Sequence, residues 1–307
     1  MLPCKRKLAR VREDYQLYLM LLIPIAFILI FHYAPMSGVQ IAFRKYTARG
    51  GIWGSEWIGL KQFTQFFASY QFERTIRNTV VLSVFSILFS FPIPVLFALI
   101  MNSLPSVRVK KTAQTIVTMP HFISVVVLVG MLNQIFNSRT GAYGVIGYAL
   151  MGQYPPDLFS SPGNFRAMYI LSGIWQGFGW GAVVYIAALS GISPELHESA
   201  QIDGASRFQR IRHVDFPDIL PTIIIMLILR MGSVMSIGFE KVYLMQNSLN
   251  LEASEVISTY VYKVGLESAM ANFSYSTAIG LFNSAVNLLM IVAVNFIAGR
   301  VGETSLW

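Results

Sequence analysis

Charge is the scarcest ingredient of this 307-residue chain. Asp, Glu, Lys and Arg make up 12% of it, about half of the roughly 25% found in ordinary soluble domains. Cysteine occurs once, at Cys4, which excludes an intrachain disulfide and a Cys-based metal site. The four histidines, His32, His121, His197 and His213, are scattered, and no close pair completes a metal site. No Gly-x-x-x-x-Gly-Lys-[Ser/Thr] loop is present to cradle phosphates, and no Gly-x-Ser-x-Gly elbow to carry a nucleophile. Neither ATP chemistry nor any other catalysis has its residues here, and no cofactor is expected on the chain. Apolar residues are abundant, with AVILMFWYC at 54% and aromatics at 13%. So few charges cannot cover the exterior of a soluble protein of this composition. A disordered chain, an acidic solvating protein and a cytosolic enzyme are excluded, and an integral membrane protein remains. The 23 basic and 15 acidic residues leave a formal net charge of +8, which suits loops held at an anionic membrane face rather than nucleic acid.

The charge-free stretches map the spans. No charged residue occurs in 15–43, 78–107, 112–138, 167–194 or 268–299, and 219–239 holds only Arg230. Each is long enough for the roughly 20 residues that cross about 30 Å of hydrocarbon as a helix. Strand-like alternation is absent, so the expected fold is all-α. Six transmembrane helices are predicted, at about 16–34, 79–101, 115–136, 168–190, 219–243 and 277–298, within a membrane domain of 16–299. A basic cytoplasmic N-terminus, 1–15, and a cytoplasmic tail, 300–307, flank it. No small-x-small cleavage site follows the first span, which reads as an uncleaved helix rather than a signal peptide. With the N-terminus inside, inner segments hold 12 Lys and Arg and outer ones 8, so both termini are placed in the cytoplasm. Leu60, Phe63, Phe67 and Tyr70 predict a short amphipathic helix on the outer face. The Gly-, Pro- and Ser-rich segment 141–164 reads as irregular loop, and no matched pair of broken helices is evident.

The inner loop 193–217 is patterned. Ser193 and Pro194 can start a helix, with Glu195 and Glu198 toward the positive end of its dipole. Gly204 ends it, and Ser206 with Gln209 has capping-box spacing for a second short helix. Pro217 and Pro221 mark entry into the fifth span. A helix–turn–helix on the cytoplasmic face suits docking of another protein, although an amphipathic loop lying on lipid headgroups would share its composition.

The string running from Glu198-Ser199-Ala200 through Asp203-Gly204-Ala205 to Phe208 and Ile211, followed by Phe216-Pro217 and Pro221, resembles the EAA loop of permease subunits in binding-protein-dependent ABC importers. Ser199 replaces the first Ala of that pattern and Phe216 the Leu before Pro. Trp57 to Phe63, Arg77-Asn78-Thr79, Tyr185 to Leu189, Thr259 to Tyr262 and Thr304 to Trp307 are similar to the carbohydrate-uptake branch, and within it to permeases for polysaccharide fragments such as alginate. The resemblance implies the type I importer permease fold in a bacterial inner membrane. It also implies a second permease, two ATPase subunits that bind ATP and Mg, and an extracytoplasmic solute-binding protein as partners. Glu198, Ala200, Asp203, Gly204, Ala205, Phe208, Ile211 and Pro217 would then form the ATPase-coupling element. An oligosaccharide, acidic if the alginate likeness holds, would be the cargo. The alternative is a secondary transporter or channel acting without an ATPase.

Polar residues within the spans are the candidate pathway. An ionisable group at mid-membrane costs about 2.5–3.5 kcal/mol on insertion scales, so Arg230 asks for a reason. On a continuous helix Ser233 and Lys241 would share its face, Lys241 about 16 Å away. Asn283 and Asn287 are four residues apart on the sixth span. Trp175, Gln176 and Trp180 combine aromatic platforms with an amide, as sugar rings require. Each has a plainer reading. The tryptophans and the glycines Gly173, Gly177 and Gly181 can serve helix packing. Asn283 and Asn287 can bond across helices, and Lys241 can snorkel outward with Glu240 as its partner. Arg230 can pair with an acidic group.

Overall fold

The computed structural model describes residues 14–302. The basic cluster from Lys5 to Arg12, Cys4 and the terminal Thr304 to Trp307 lie outside them. Helix α1, Tyr15–Ile28, passes through a π turn, Leu29–Tyr33, into a 3-10 stretch, Ala34–Phe43. The resulting 29-residue run is longer than the expected span at 16–34. The first part buries no side chain, while the 3-10 part packs along the last helix. A two-residue antiparallel pair follows, Arg44 opposite Trp57 and Lys45 opposite Glu56.

Helix α2, Lys61–Phe67, is the predicted outer helix, but its inward residue is Phe66. Leu60, Phe67 and Tyr70 are exposed, because the helix is under two turns long; Phe66 is buried in the cluster around Tyr275 and Ile279, and Phe67 meets its rim at Phe72 and Phe282. Helices α3, Tyr70–Ser90, and α4, Pro92–Ser103, meet at Phe91 and form one 34-residue span.

The third expected span, 115–136, is not straight. Helix α5, Val107–Thr118, is followed by a 3-10 turn, Met119–Phe122, and then by α6, Val125–Ile135, bent by 96°. Pro120 lacks a backbone donor, and Ser124 caps the new helix by accepting from the Val127 amide. The segment 141–164, expected to be irregular, contains α7, Ala142–Met151. Its apolar run outweighs its glycines, and Gly144 lies where a Cβ would come within 2.3 Å of the Ser138 carbonyl oxygen.

Helix α8, Pro162–Leu189, packs against α3, α4 and α5. Lipid chains are as apolar as leucine, so close packing rather than the hydrophobic effect must hold such helices together. Gly179 shows the mode: a Cβ there would sit 2.2 Å from the Val117 carbonyl oxygen of α5.

Helices α9, Pro194–Ile202, and α10, Arg207–Arg210, form the inner loop. Helix α10 is not a separate short helix. It continues through a π turn, Ile211–Asp215, into α11, Phe216–Met231. Pro217 is the second residue of α11, where a missing donor is tolerated, whereas Pro221 lies inside the helix and does not mark its start.

The fifth span, expected as one helix over 219–243, is interrupted. Helix α11 stops at Met231, residues 232–238 are irregular, and α12, Phe239–Met245, resumes. Gly232 and Gly238 bracket the break. Non-helical backbone at membrane depth is tolerated only where protein or a cavity satisfies it. Here the Ser83 hydroxyl donates to the Val234 carbonyl. Asn287 accepts from the Met235 amide at 2.8 Å and donates to the Ser236 hydroxyl at 2.8 Å. Helix α13, Ile257–Tyr262, and α14, Phe273–Gly302, complete the chain. Among the described residues four helices are long and apolar enough to cross a membrane, and the bent pair makes a fifth. Two broken elements, where no matched pair was evident in the sequence, stand in place of straight spans.

Candidate functional site

Two places gather polar side chains on this scaffold. The first is a cavity of about 370 Å³ between α3, α4, α8, α11 and α12. Arg230 enters from the last turn of α11, where a cation complements the helix dipole. It forms no ion pair with the described residues. Lys241 arrives from α12, 8% exposed. Its ammonium donates to the Tyr169 carbonyl at 2.9 Å and lies 4.8 Å from the centre of the Tyr169 ring. Lys241 thus neither snorkels to the outer face nor pairs with Glu240. The break also cancels the spacing of about 16 Å along one helix, but both cations still line this one cavity.

Gln176 lines the same cavity and donates to the Ile123 carbonyl at 2.8 Å, tying α8 to the bend before α6. Gly173, Gly177 and Gly181 line it too. Of the three, Gly181 serves close helix packing, its Cβ position lying 3.3 Å from Pro94 of α4; a Cβ at Gly177 would meet nothing within 4 Å, and one at Gly173 would approach only the Lys241 ammonium. The hydrogens of Gly173 and Gly177 keep space open in the cavity that Arg230 and Lys241 line. Ser233 faces an adjoining space that shares Tyr169 and Arg230.

The remaining candidates lie elsewhere. Trp180 stacks on His121, centroids 4.8 Å apart and planes at 1°, and packs against the 3-10 turn. Trp175 is exposed and does not line the cavity, because it follows the helix about 100° away from Gln176. Asn287 holds the break in the fifth segment, and Asn283 stands one turn below it, its Oδ1 buried without a partner. The aromatic lining instead comes from Phe91, Phe178, Tyr169 and Tyr185. Tyr169 was missed although Tyr169, Gly173 and Gln176 fall at helical spacing on one face of α8, a signal open to inspection.

The second place is the inner helix–turn–helix. Ser193 accepts from the Glu195 amide at 3.3 Å. Gly204, at φ +76°, closes α9 in the left-handed conformation that favours glycine. The Ala205 amide reaches back to the Ala200 carbonyl at 2.9 Å. Ser206 and Gln209 form the reciprocal capping box. Glu198 and Asp203 are exposed and bond to no described side chain. Ile202 and Phe208, 86% and 71% exposed, give the element an apolar outer surface, while Ile211 turns inward onto the cluster of α4, α8 and α11. Behind the element Asp215, 2% exposed, lies 3.3 Å from His197 of α9, within ion-pair distance, and accepts from Asn102 of α4 at 3.0 Å. Burial pushes the Asp215 carboxyl above the usual carboxylate range, against the opposing pull of His197, Asn102, Arg210 and Lys110.

At the outer end, Asn78 donates to the Glu252 and Glu255 carbonyls. Thr79 accepts from the Ile257 amide, and Arg74 pairs with Glu255. These bonds fix the segment after α12 onto α3.

Comparison with known proteins places these features. Residues 66–303 match the family described as binding-protein-dependent transport system inner membrane component. Protein LplB of Bacillus subtilis strain 168 is 40% identical over 300 residues, covering 98% of this chain and 93% of that protein. The polygalacturonan/rhamnogalacturonan transport system permease protein YteP of the same organism is 37% identical over 303 residues, covering 99% and 94%. Among solved structures, a chain of a bacterial ABC transporter involved in the import of the acidic polysaccharide alginate superposes with a TM-score of 0.88 at 38% identity, covering 97% of this chain and 99% of that one. A chain of the bacterial alginate ABC transporter in complex with its alginate pentasaccharide-bound periplasmic protein gives 0.87, with the same identity and coverage.

Proposed function

Because the chain belongs to the family of binding-protein-dependent transport system inner membrane components, we propose that it is one permease of an ABC importer for acidic oligosaccharides. The single observation that carries the choice of cargo is the pair of cations, Arg230 and Lys241, on one cavity in which Arg230 has no acidic partner among the described residues. A neutral sugar needs hydroxyl partners and ring faces. A uronate adds a carboxylate, which a guanidinium matches with two parallel donors. Tyr169, Tyr185, Phe91 and Phe178 offer the ring faces and Gln176 the amide. The polygalacturonan and alginate relatives support the same class of cargo.

In this reading the exposed face of α9 and α10 docks on an ATPase subunit that binds ATP and Mg, with Glu198, Asp203 and Phe208 at the contact. A second permease completes the pathway, and a solute-binding protein delivers sugar from outside. Both termini lie in the cytoplasm of the bacterial cell. ATP hydrolysis falls to the partner subunits in this reading, and the expected outcome for the chain purified alone in nanodiscs is no ATP turnover above a blank. The alternative of a secondary transporter or channel leaves the helix–turn–helix without a use.

The test is uptake by Arg230→Gln in liposomes holding the whole complex. Loss of a charge-assisted contact worth about 1.5–3 kcal/mol lowers oligouronate uptake by about tenfold or more. Assembly stays intact, and neutral oligosaccharides are not taken up at wild-type rates. An assembled variant that carries oligouronates normally overturns the acidic-cargo reading.

A further inference from the structure

Helix α9 touches the rest of the chain through few polar groups. Glu195, Glu198 and Gln201 are exposed, and His197 is the half-buried exception. Its Nε2 lies 3.3 Å from Oδ1 of Asp215, within ion-pair distance, and the same oxygen accepts from Nδ2 of Asn102. The Asn102 carbonyl in turn accepts from the Lys110 ammonium at 2.8 Å. Four elements meet in this row of contacts: α9, the π turn, the end of α4 and the start of α5. Beside it lies a cavity of about 320 Å³ bordered by Leu104, Pro105, His197 and Arg207, room into which α9 can shift.

Asp215 is well placed to pass such a shift on. It sits in the π turn of an unbroken helical run from Arg207 to Met231, and Arg230 lies about 22 Å further along it. A buried carboxyl must keep its partners, since losing one leaves a desolvated acceptor. When His197 moves, Asp215 must either follow or lose that contact.

We infer that the His197–Asp215–Asn102 contacts are the link through which movement of α9 reaches the helix that carries Arg230, with His197 and Asp215 as positioning residues. The inference rests on the reading of α9 and α10 as the ATPase-docking element, and the experiment separates the two. The charged groups around Asp215 are His197 on α9, Arg207 and Arg210 on α10, and Lys110 on α5. Of these, His197 alone comes from α9, while Arg207 and Arg210 belong to α10, which is continuous with α11, so a variant at His197 severs the contact between α9 and Asp215 and leaves the other charges in place.

The complete complex, with partner permease, ATPase subunits and binding protein saturated with an oligouronate, is reconstituted in liposomes with His197→Ala. ATPase subunits remain bound and basal hydrolysis is unchanged, while stimulation by loaded binding protein falls at least about fivefold, the lower end of ordinary coupling between sites. His197→Gln, which can still donate to Asp215, recovers most of it. Gly204→Pro in parallel reports on docking. If His197→Ala is stimulated normally while Gly204→Pro is not, the link is overturned and docking stands. If both are stimulated normally, both readings fall. Loss of the ATPase subunits from His197→Ala would make His197 a docking contact and overturn the link. Should His197→Ala not reach the membrane, Asn102→Ala reads the same row from the far side, and normal stimulation there overturns the proposal.

Discussion

The two ends of helix α11 are built in opposite ways. At the end joined to α10 Asp215 is buried and contacted from two other helices. At its other end Arg230 lacks an ion partner among the described residues, and the backbone beyond Met231 loses helical form. The break is not slack: Ser83 and Asn287 take up its carbonyl and amide. One end holds the helix to its neighbours, and the other leaves a charge facing open space. On the proposed link, a rod held in this manner would carry displacement of α9 toward the cavity that Arg230 lines.

The largest effect is expected where the push enters. Gly204 adopts φ +76°, and proline, locked near −65°, cannot follow it. Gly204→Pro therefore distorts the junction of α9 and α10 while leaving the membrane helices alone. In the reconstituted complex, ATP hydrolysis stimulated by loaded binding protein should fall by about an order of magnitude or more, the scale of a coupling of 1–3 kcal/mol. Undiminished stimulation would mean that the element does not transmit, and the contrast between the ends of α11 would lose its functional meaning.

A middle-sized effect should come from loosening the other end. Asn287→Ala removes the acceptor of the Met235 amide, a residue 5% exposed, and the donor to Ser236. An unmet buried backbone donor costs about 1–3 kcal/mol, so the melting temperature in nanodiscs should fall by several degrees and uptake should drop in part. Asn283→Ala serves as the control. Its Oδ1 already lacks a partner, so its melting temperature should move less. Equal losses in the two variants would show that Asn287 does not secure the break.

The same contrast explains what could be read from the residues. The helix–turn–helix was legible because its signals are local: a serine cap, a left-handed glycine, a capping box, each needing partners within a few positions. The spans were legible as charge-free lengths. The break at 232–238 was not, because Ser83 and Asn287, which make it tolerable, lie 151 and 52 positions from the groups they bind. The bend before α6 likewise depends on Gln176, 53 positions from Ile123. Arg230 and Lys241 were found as expensive charges, yet the straight helix assumed between them gave the wrong route to the right neighbourhood. Trp175 and Trp180 were drawn in by their chemistry, and helical phase places both off the cavity. His197 and Asp215 raised no signal, since a lone His and a lone Asp in a basic loop look solvated until α4 is packed behind them.

The smallest effect tests the closed end through protons. Burial raises the Asp215 carboxyl above its ordinary range, so the folded chain holds that proton more tightly than the unfolded one. A raised carboxyl contributes stability that is fully present below its unfolded value, about 3.9, and is lost as pH rises through the folded value. Asp215→Asn cannot titrate and lacks this component. Between about pH 4 and pH 7 the melting temperature of the wild type should therefore lose about one to two degrees relative to Asp215→Asn, a shift of the size that fractions of a kcal/mol produce. The slope is the diagnostic, because a lost hydrogen bond alone displaces the variant equally at every pH. Parallel curves would mean that burial does not govern this carboxyl and that its contacts with His197 and Asn102 set its charge. A relative gain for the wild type on raising the pH would reverse the sign and make Asp215 a stabilising ion pair rather than a carboxyl held against its own desolvation.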